Sequence, residues 1–258
     1  MPDHRPATAP TPTTTTPTPP PPTAAPAAVI RPLRPGEDGD VRRIFRETLL
    51  LGRPLPFTPR ELDTYEALCL DWYLHHGTVL VVDQDEAVHG YLLACLDQDA
   101  FDRWAQRRAV RWGARTLLRI AVGRTRGDAR RFAWLRIRDG LAAWRRAPAP
   151  PHPAHLHVNL DAGIRDARVG HRLAAAMDDL VAEAGLAGWF GELNVPQGRS
   201  LSAVVRAGAK VVHRQPNRTF SWLLGTPVER ATVARTLAER TDSVERAAAG
   251  HDTLGGAA

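Results

Sequence analysis

Lysine is nearly absent from this chain: Lys210 is the single one among 34 basic residues, so almost all positive charge sits on arginine. Cysteine is also scarce. Cys69 and Cys95 fall in a predicted helix and a predicted strand, which favours buried free thiols over a disulfide framework or a zinc site. No run of 18 apolar residues occurs, and the N-terminal stretch lacks the apolar core of a secretory signal, so the expected location is cytoplasmic. Residues 1–28 are nearly all Pro, Thr and Ala and cannot bury a core, so they read as a disordered tail, with a second flexible tail at 238–258. One domain over 29–237 remains.

Within it, the charge is uneven. Fourteen arginines stand against three aspartates between Phe101 and Ala147, a local charge of +11 in a chain whose total is +6. Residues 97–150 read as an Arg-rich insert of two or three helices. In its last helix Trp134, Ile137, Leu141 and Trp144 recur at helical spacing, with arginines on the other faces. These four are expected to pack against the sheet, leaving a solvated outer face. The same amphipathicity would also suit nucleic-acid phosphates, an anionic membrane surface, or a cover over an acidic acceptor. None of the familiar nucleic-acid-binding motifs is present.

The remaining elements alternate. A strand over Ala28–Leu33 precedes a helix over Val41–Leu51, and Thr58-Pro59-Arg60-Glu61 forms a capping box opening a helix to about His75. Thr78–Val82 and Ala87–Leu96 read as a hairpin. After Pro148–Pro153 come a strand at His155–Leu160, a helix at Val169–Ala184 stopped by Gly185, a strand at Trp189–Asn194 and a short helix at Leu201–Ala207. Ala209–Arg214 and Thr219–Leu224 read as a closing hairpin. The whole predicts a mixed α/β sheet.

The most informative stretch is AHLHVNLDAGIRDARVGHR, Ala154 to Arg172, in which an alternating strand bends into an amphipathic helix. The first amides of a helix lack intrahelical acceptors and carry partial positive charge, so this bend suits a diphosphate. It resembles the acetyl-CoA-binding segment of the GNAT superfamily of N-acetyltransferases, whose pattern is Q/R-x-x-G-x-G/A. Here the pattern reads Arg165-Asp166-Ala167-Arg168-Val169-Gly170, with Arg168 in place of the first glycine. Trp72-Tyr73-Leu74, His89-Gly90-Tyr91-Leu92-Leu93 and Thr219-Phe220-Ser221-Trp222 with Gly225-Thr226-Pro227-Val228-Glu229 add local similarity to a bacterial GNAT subgroup carrying an Arg-rich helical insert before the fourth strand.

The resemblance implies a mixed, mostly antiparallel sheet whose fourth and fifth strands part around acetyl-CoA, used as cosubstrate without a metal. It assigns the pantetheine arm to backbone groups of Asn159, Leu160 and Asp161. The diphosphate falls to the amides of Arg165, Asp166, Ala167, Arg168, Val169, Gly170 and His171, with Arg165, Arg168 and Arg172 as charge partners. Alternation sets His155, His157 and Asn159 on one strand face, and Glu192 on the fifth strand can meet the same opening. Glu192 is the first choice of general base and His157 the second, while Asp161 reads as a turn or cap residue. Val204 stands where the family often places a thiolate-protonating Tyr, leaving water or Ser202 for that role, and Gln197 stands where Asn is common. The implied activity is transfer of acetyl to a primary amine of a small molecule or peptide, by a monomer or homodimer. The alternative is a degenerate module that binds CoA or a partner without turnover.

Overall fold

In the computed structural model residues 28–59, 62–146, 151–164, 166, 168–206 and 208–237 are described. The expected tails, apart from Ala28, lie outside these residues, as do Glu61 of the capping box and Arg165 and Ala167 of the bend.

Seven strands form one sheet. They are β1 (Val29–Pro32), β2 (Thr78–Gln84), β3 (Ala87–Cys95), β4 (Ala154–Leu160), β5 (Gly188–Pro196), β6 (Lys210–Pro216) and β7 (Val228–Thr236), in spatial order β1-β2-β3-β4-β5-β7-β6. Every neighbouring pair is antiparallel except β4 and β5. The mixed, mostly antiparallel sheet expected from the sequence is therefore present. The β2–β3 turn is tighter than the sequence reading: β2 runs on to Gln84, and Asp85 and Glu86 alone close the hairpin with φ of 55° and 63°. Two successive left-handed residues match the right-handed strand twist.

The helices are α1 (Asp38–Thr48), α2 (Leu62–His76), α3 (Gln98–Ala121), α4 (Gly127–Arg146), α5 (Val169–Glu183), α6 (Ser202–Arg206) and α7 (Arg218–Leu224). On one sheet face, Ile44 and Phe45 of α1 and Leu70 and Tyr73 of α2 pack on Val81, Tyr91 and Leu93. On the other, Val169, Leu173, Met177 and Val181 recur every four residues along α5, all at most 1 % exposed, against Leu92 and Ala94. Full burial of such side chains contributes about 2 kcal/mol each, which is why α5 is fixed firmly beneath the sheet. Gly185, at φ 69°, ends its last turn as anticipated.

Two expectations are corrected. Thr219–Leu224 is not a strand but part of α7: the Asn217 side chain accepts from the Phe220 amide, and Gly225 terminates the helix at φ 67°. A short unbroken apolar run carries no period, so the cap and the terminator decide. The partner of β6 is instead β7, which lies between β6 and β5.

The second correction concerns α4. Trp134, Leu141 and Trp144 are exposed, and the buried positions are Phe132, Ala133 and Asp139. Phe132 meets the rings of Phe57 and Tyr65, the Arg136 guanidinium lies 5.1 Å above Tyr65, and Asp139 accepts from the Thr219 amide at 2.9 Å and its hydroxyl at 2.6 Å. Two polar side chains with dedicated partners thus outrank a tryptophan face, because a paired carboxylate can be buried against a helix N-terminus at little cost.

Candidate active site

The site begins where β4 and β5 part. Their parallel pairing covers only Ala154 with Trp189, His155 with Phe190 and Leu156 with Gly191. Beyond that, β4 stays paired to β3 as far as Leu160, and β5 stays paired to β7 as far as Pro196. Each strand therefore keeps one partner and turns its other edge toward the gap.

Which β4 groups face the gap follows from alternation. The Asp161 amide donates to the His89 carbonyl at 2.9 Å, so the backbone groups of Asn159 and His157 point to β3 as well, while those of Val158 and Leu160 point toward β5. Of the three residues expected to pair with pantetheine, Leu160 faces the opening. Val158 joins it, a position the sequence reading passed over although strand alternation alone could have found it. The Asp161 carboxylate accepts from the Gly163 amide at 2.7 Å and contacts His89 Nδ1 at 3.1 Å, which makes it the turn residue anticipated. A Cβ at Gly163 would come within 2.7 Å of that imidazole, so a larger residue there would displace the His89 ring.

At the start of α5 the Asp166 side chain accepts from the Arg168 amide at 2.8 Å, and its backbone carbonyl accepts from Val169 at 3.1 Å. Arg172 donates to Asp166 Oδ2 and to the Ala28 carbonyl, both at 2.7 Å. It ties the helix start to β1, and does not stand loose as a charge partner. Arg168 and His171 are exposed, and a Cβ on Gly170 would meet nothing within 4 Å, so open space lies over the first turn.

His157 and Glu192 are the first residues past the paired segment on β4 and β5. Carrying the β4–β5 register one residue past Leu156 and Gly191 sets His157 opposite Glu192 at the point where pairing stops. His157 lies edge-on between the rings of Phe45 and Tyr91, at centroid distances of 6.3 and 5.8 Å. Glu192 is more open, with its side chain 43 % exposed and accepting from Arg230 on β7 at 3.3 Å. Asn159, on the same face as His157, donates to the Tyr91 hydroxyl at 2.9 Å.

Behind them lies a relay that the sequence reading missed. The Tyr73 hydroxyl is 2.6 Å from His155 Nε2, and His155 Nδ1 is 2.5 Å from Gln98 Oε1. A carbonyl oxygen can only accept, so Nδ1 carries the proton, Nε2 accepts from Tyr73, and the ring is neutral. Burial, with the neighbouring His157, pushes the His155 pKa down to about 3, and burial pushes His157 down to about 4. An unfolded histidine titrates near 6.5. Between pH 6.5 and 4 the unfolded chain therefore binds protons that the fold refuses, and stability complete above that window is lost as pH falls through it. For His157 alone the loss at pH 4 is about 3 kcal/mol. Thermal unfolding followed from pH 7 to 4 is expected to show a falling midpoint, with His157→Gln flattening the slope. An unchanged slope would mean that the ring is protonated within the fold.

Val204 does not supply a phenol: it packs with Val195, Leu201 and Ala209 in a small satellite core. A groove of about 220 Å³ between α2 and α3, lined by Thr64, Arg108, Arg111, Trp112 and Arg115 among others, shares no residue with the fork.

No protein-family model matches the chain, and no curated protein matches it significantly. Solved structures similar to it include several named as acetyltransferases. SsHAT is 19 % identical with TM-score 0.49, over 82 % of this chain and 99 % of that one. An N-acetyltransferase from Staphylococcus aureus Mu50 is 10 % identical with TM-score 0.47, over 82 % and 99 %. A GNAT superfamily phosphinothricin acetyltransferase from Sinorhizobium meliloti, solved in complex with AcCoA, is 16 % identical with TM-score 0.47, over 81 % and 88 %. Among the described residues, the seven strands, the single parallel pair and the parting of that pair form the mixed, mostly antiparallel sheet with flanking helices that the resemblance to the GNAT fold implies.

Proposed function

We propose that this protein is an N-acetyltransferase that moves acetyl from acetyl-CoA to a primary amine of a small molecule or peptide. The observation that carries the reading is the gap beyond Leu156 and Gly191, with β4 backbone groups on one side and the start of α5 at its end. A pantetheine arm entering there pairs with Val158 and Leu160, and its diphosphate reaches the first turn of α5 around Gly170 and His171. The exposed Arg168 adds positive charge beside that turn.

The amine must lose a proton before it attacks, since an alkyl ammonium has a pKa of about 10.4. Glu192, half in solvent at the fork, takes that proton directly or through a water. The amine nitrogen then forms a bond to the thioester carbonyl carbon, the C–S bond breaks, CoA leaves as thiolate, and the surplus proton on the nitrogen passes to water, leaving the neutral amide. With a thiol pKa near 8.5 the thiolate departs without a dedicated acid, which fits Val204 in place of a tyrosine. His157 resists protonation and so serves as a neutral hydrogen-bond acceptor for the second amine N–H, a weaker base than its position suggests.

Release of free CoA thiol from acetyl-CoA with pooled amine acceptors tests the reading. Gly170→Glu is the control: the side chain finds open space, yet sets a carboxylate where the diphosphate lies. At about 4 Å such a repulsion costs enough to weaken CoA binding by about 10²-fold, while the unliganded fold keeps its melting temperature. CoA binding without thiol release for any amine would select the non-catalytic module instead, and equal CoA affinity in Gly170→Glu would remove α5 from the cofactor site.

A further inference from the structure

We propose that the outward side of the α3–α4 hairpin docks on an anionic lipid surface. Both helices turn one side to the domain. For α3 it is the side of Phe101, Trp104 and Trp112, whose rings pack on Tyr73, Trp72 and Tyr65 at 5.6, 5.9 and 5.7 Å, and of the buried Thr116. For α4 it is the Phe132, Arg136 and Asp139 side already described. Their remaining surface is unlike that of the rest of the molecule. Of eleven exposed large hydrophobic side chains among the described residues, seven lie on this hairpin.

Their spacing sets those of each helix on one side of it. On α3, Val110, Ala114, Leu117, Leu118, Ala121 and Val122 follow i, i+4, i+7, i+8, i+11, i+12, all exposed, with Val110 at 67 % and Leu118 at 64 %. On α4, Trp134, Leu141 and the 72 % exposed Trp144 share one side with Arg130, Arg138 and Arg145. An exposed apolar stripe on α3, together with exposed tryptophans beside arginines on α4, matches the boundary between acyl chains and headgroups. There the stripe leaves water while guanidinium groups meet lipid phosphates.

Charge decides between occupants. The segment carries +11 while the rest of the chain sums to −5, so an anionic surface is attracted and a second copy offering the same face is repelled. Nucleic acid would satisfy the arginines yet leave Val110, Leu117, Leu118 and Val122 against phosphates and water. Lipid satisfies both. No described helix is long and apolar enough to cross a membrane, so the hairpin lies in the interface plane.

The full-length protein mixed with vesicles of phosphatidylcholine, alone or with about 30 mol % phosphatidylserine, tests this by co-sedimentation and tryptophan fluorescence. The expected result is at least ~tenfold stronger partitioning to the anionic vesicles with a blue-shifted emission, and more than ~tenfold loss in the triple variant Leu118→Gln/Trp134→Gln/Trp144→Gln. These positions are exposed, so circular dichroism should stay as in the parent, and acetyl transfer in solution is a separate readout that need not change. Partitioning that the triple variant retains, and that about 0.5 M salt alone abolishes, would reduce the surface to nonspecific charge and overturn the proposal. So would a duplex DNA affinity exceeding that for the vesicles, or a concentration-dependent dimer that the triple variant dissolves.

Discussion

Glu192→Gln is expected to lower kcat for acetyl transfer by about 10² to 10³-fold near neutral pH while leaving the KM for acetyl-CoA within a few-fold of the parent value. The amide keeps the shape of the side chain and can still contact Arg230, but it cannot take a proton from an ammonium. The size of the effect follows from position: Glu192 directly follows Gly191, the last β5 residue paired to β4, and it is open enough to pass a proton to solvent. Steady-state rates with a fixed amine, taken across pH, are the measurement. A kcat within about threefold of the parent would transfer the role of base elsewhere, and His157→Gln becomes the next variant to assay.

Asp178→Ala is expected to destabilise the fold by about 3 to 5 kcal/mol, read as the shift of a urea unfolding midpoint. Asp178 is fully buried on α5, where it accepts from Trp189 Nε1 at 2.8 Å and forms an ion pair with Arg235 at 2.9 Å. It therefore fastens α5 to β5 and β7 at the closed end of the fork, opposite the end where β4 and β5 diverge. Truncation to alanine leaves a guanidinium that is 15 % exposed without that carboxylate and an indole N–H without its acceptor. The penalty comes from those orphaned groups more than from the lost attraction. The double variant Asp178→Ala/Arg235→Met should accordingly recover part of the loss. A single-variant cost below about 1 kcal/mol would mean that water enters and replaces the carboxylate.

The rigid base and the divergent mouth belong to one design. Glu192 and Val195 lie on a strand held along its full length by β7, and β4 is held by β3, so the gap between them is maintained by outer neighbours without pairing of its own. A thioester can then enter without unfolding any strand. This separation of support from opening keeps β4 and β5 each in register with an outer neighbour while the gap between them stays free.

Much of this was legible before any coordinates. Alternation along Ala154–Leu160 set His155, His157 and Asn159 on one face, and they are there, over Tyr73, Phe45 and Tyr91. The four-residue apolar spacing of α5 and the glycine that stops it were visible in the same way. What failed to show were features that depend on partners distant in sequence. Thr219–Leu224 carries no period, and Asn217, Gly225 and Asp139 of another helix make it helical. Trp134, Leu141 and Trp144 have the spacing of a buried face, yet the rings of Phe57 and Tyr65 receive Phe132 instead.

By itself the sequence determined the periodic elements, the strand-to-helix bend, and the concentration of arginine between Phe101 and Ala147, because each is a property of neighbours along the chain. Only the tertiary structure decided that Asp161 is spent on His89, that Arg172 is tied to Asp166 and Ala28, and that the apolar side of the α3–α4 hairpin looks outward. Those outcomes rest on which groups a fold brings together from far apart, and hydrogen-bond satisfaction and burial are settled at that range.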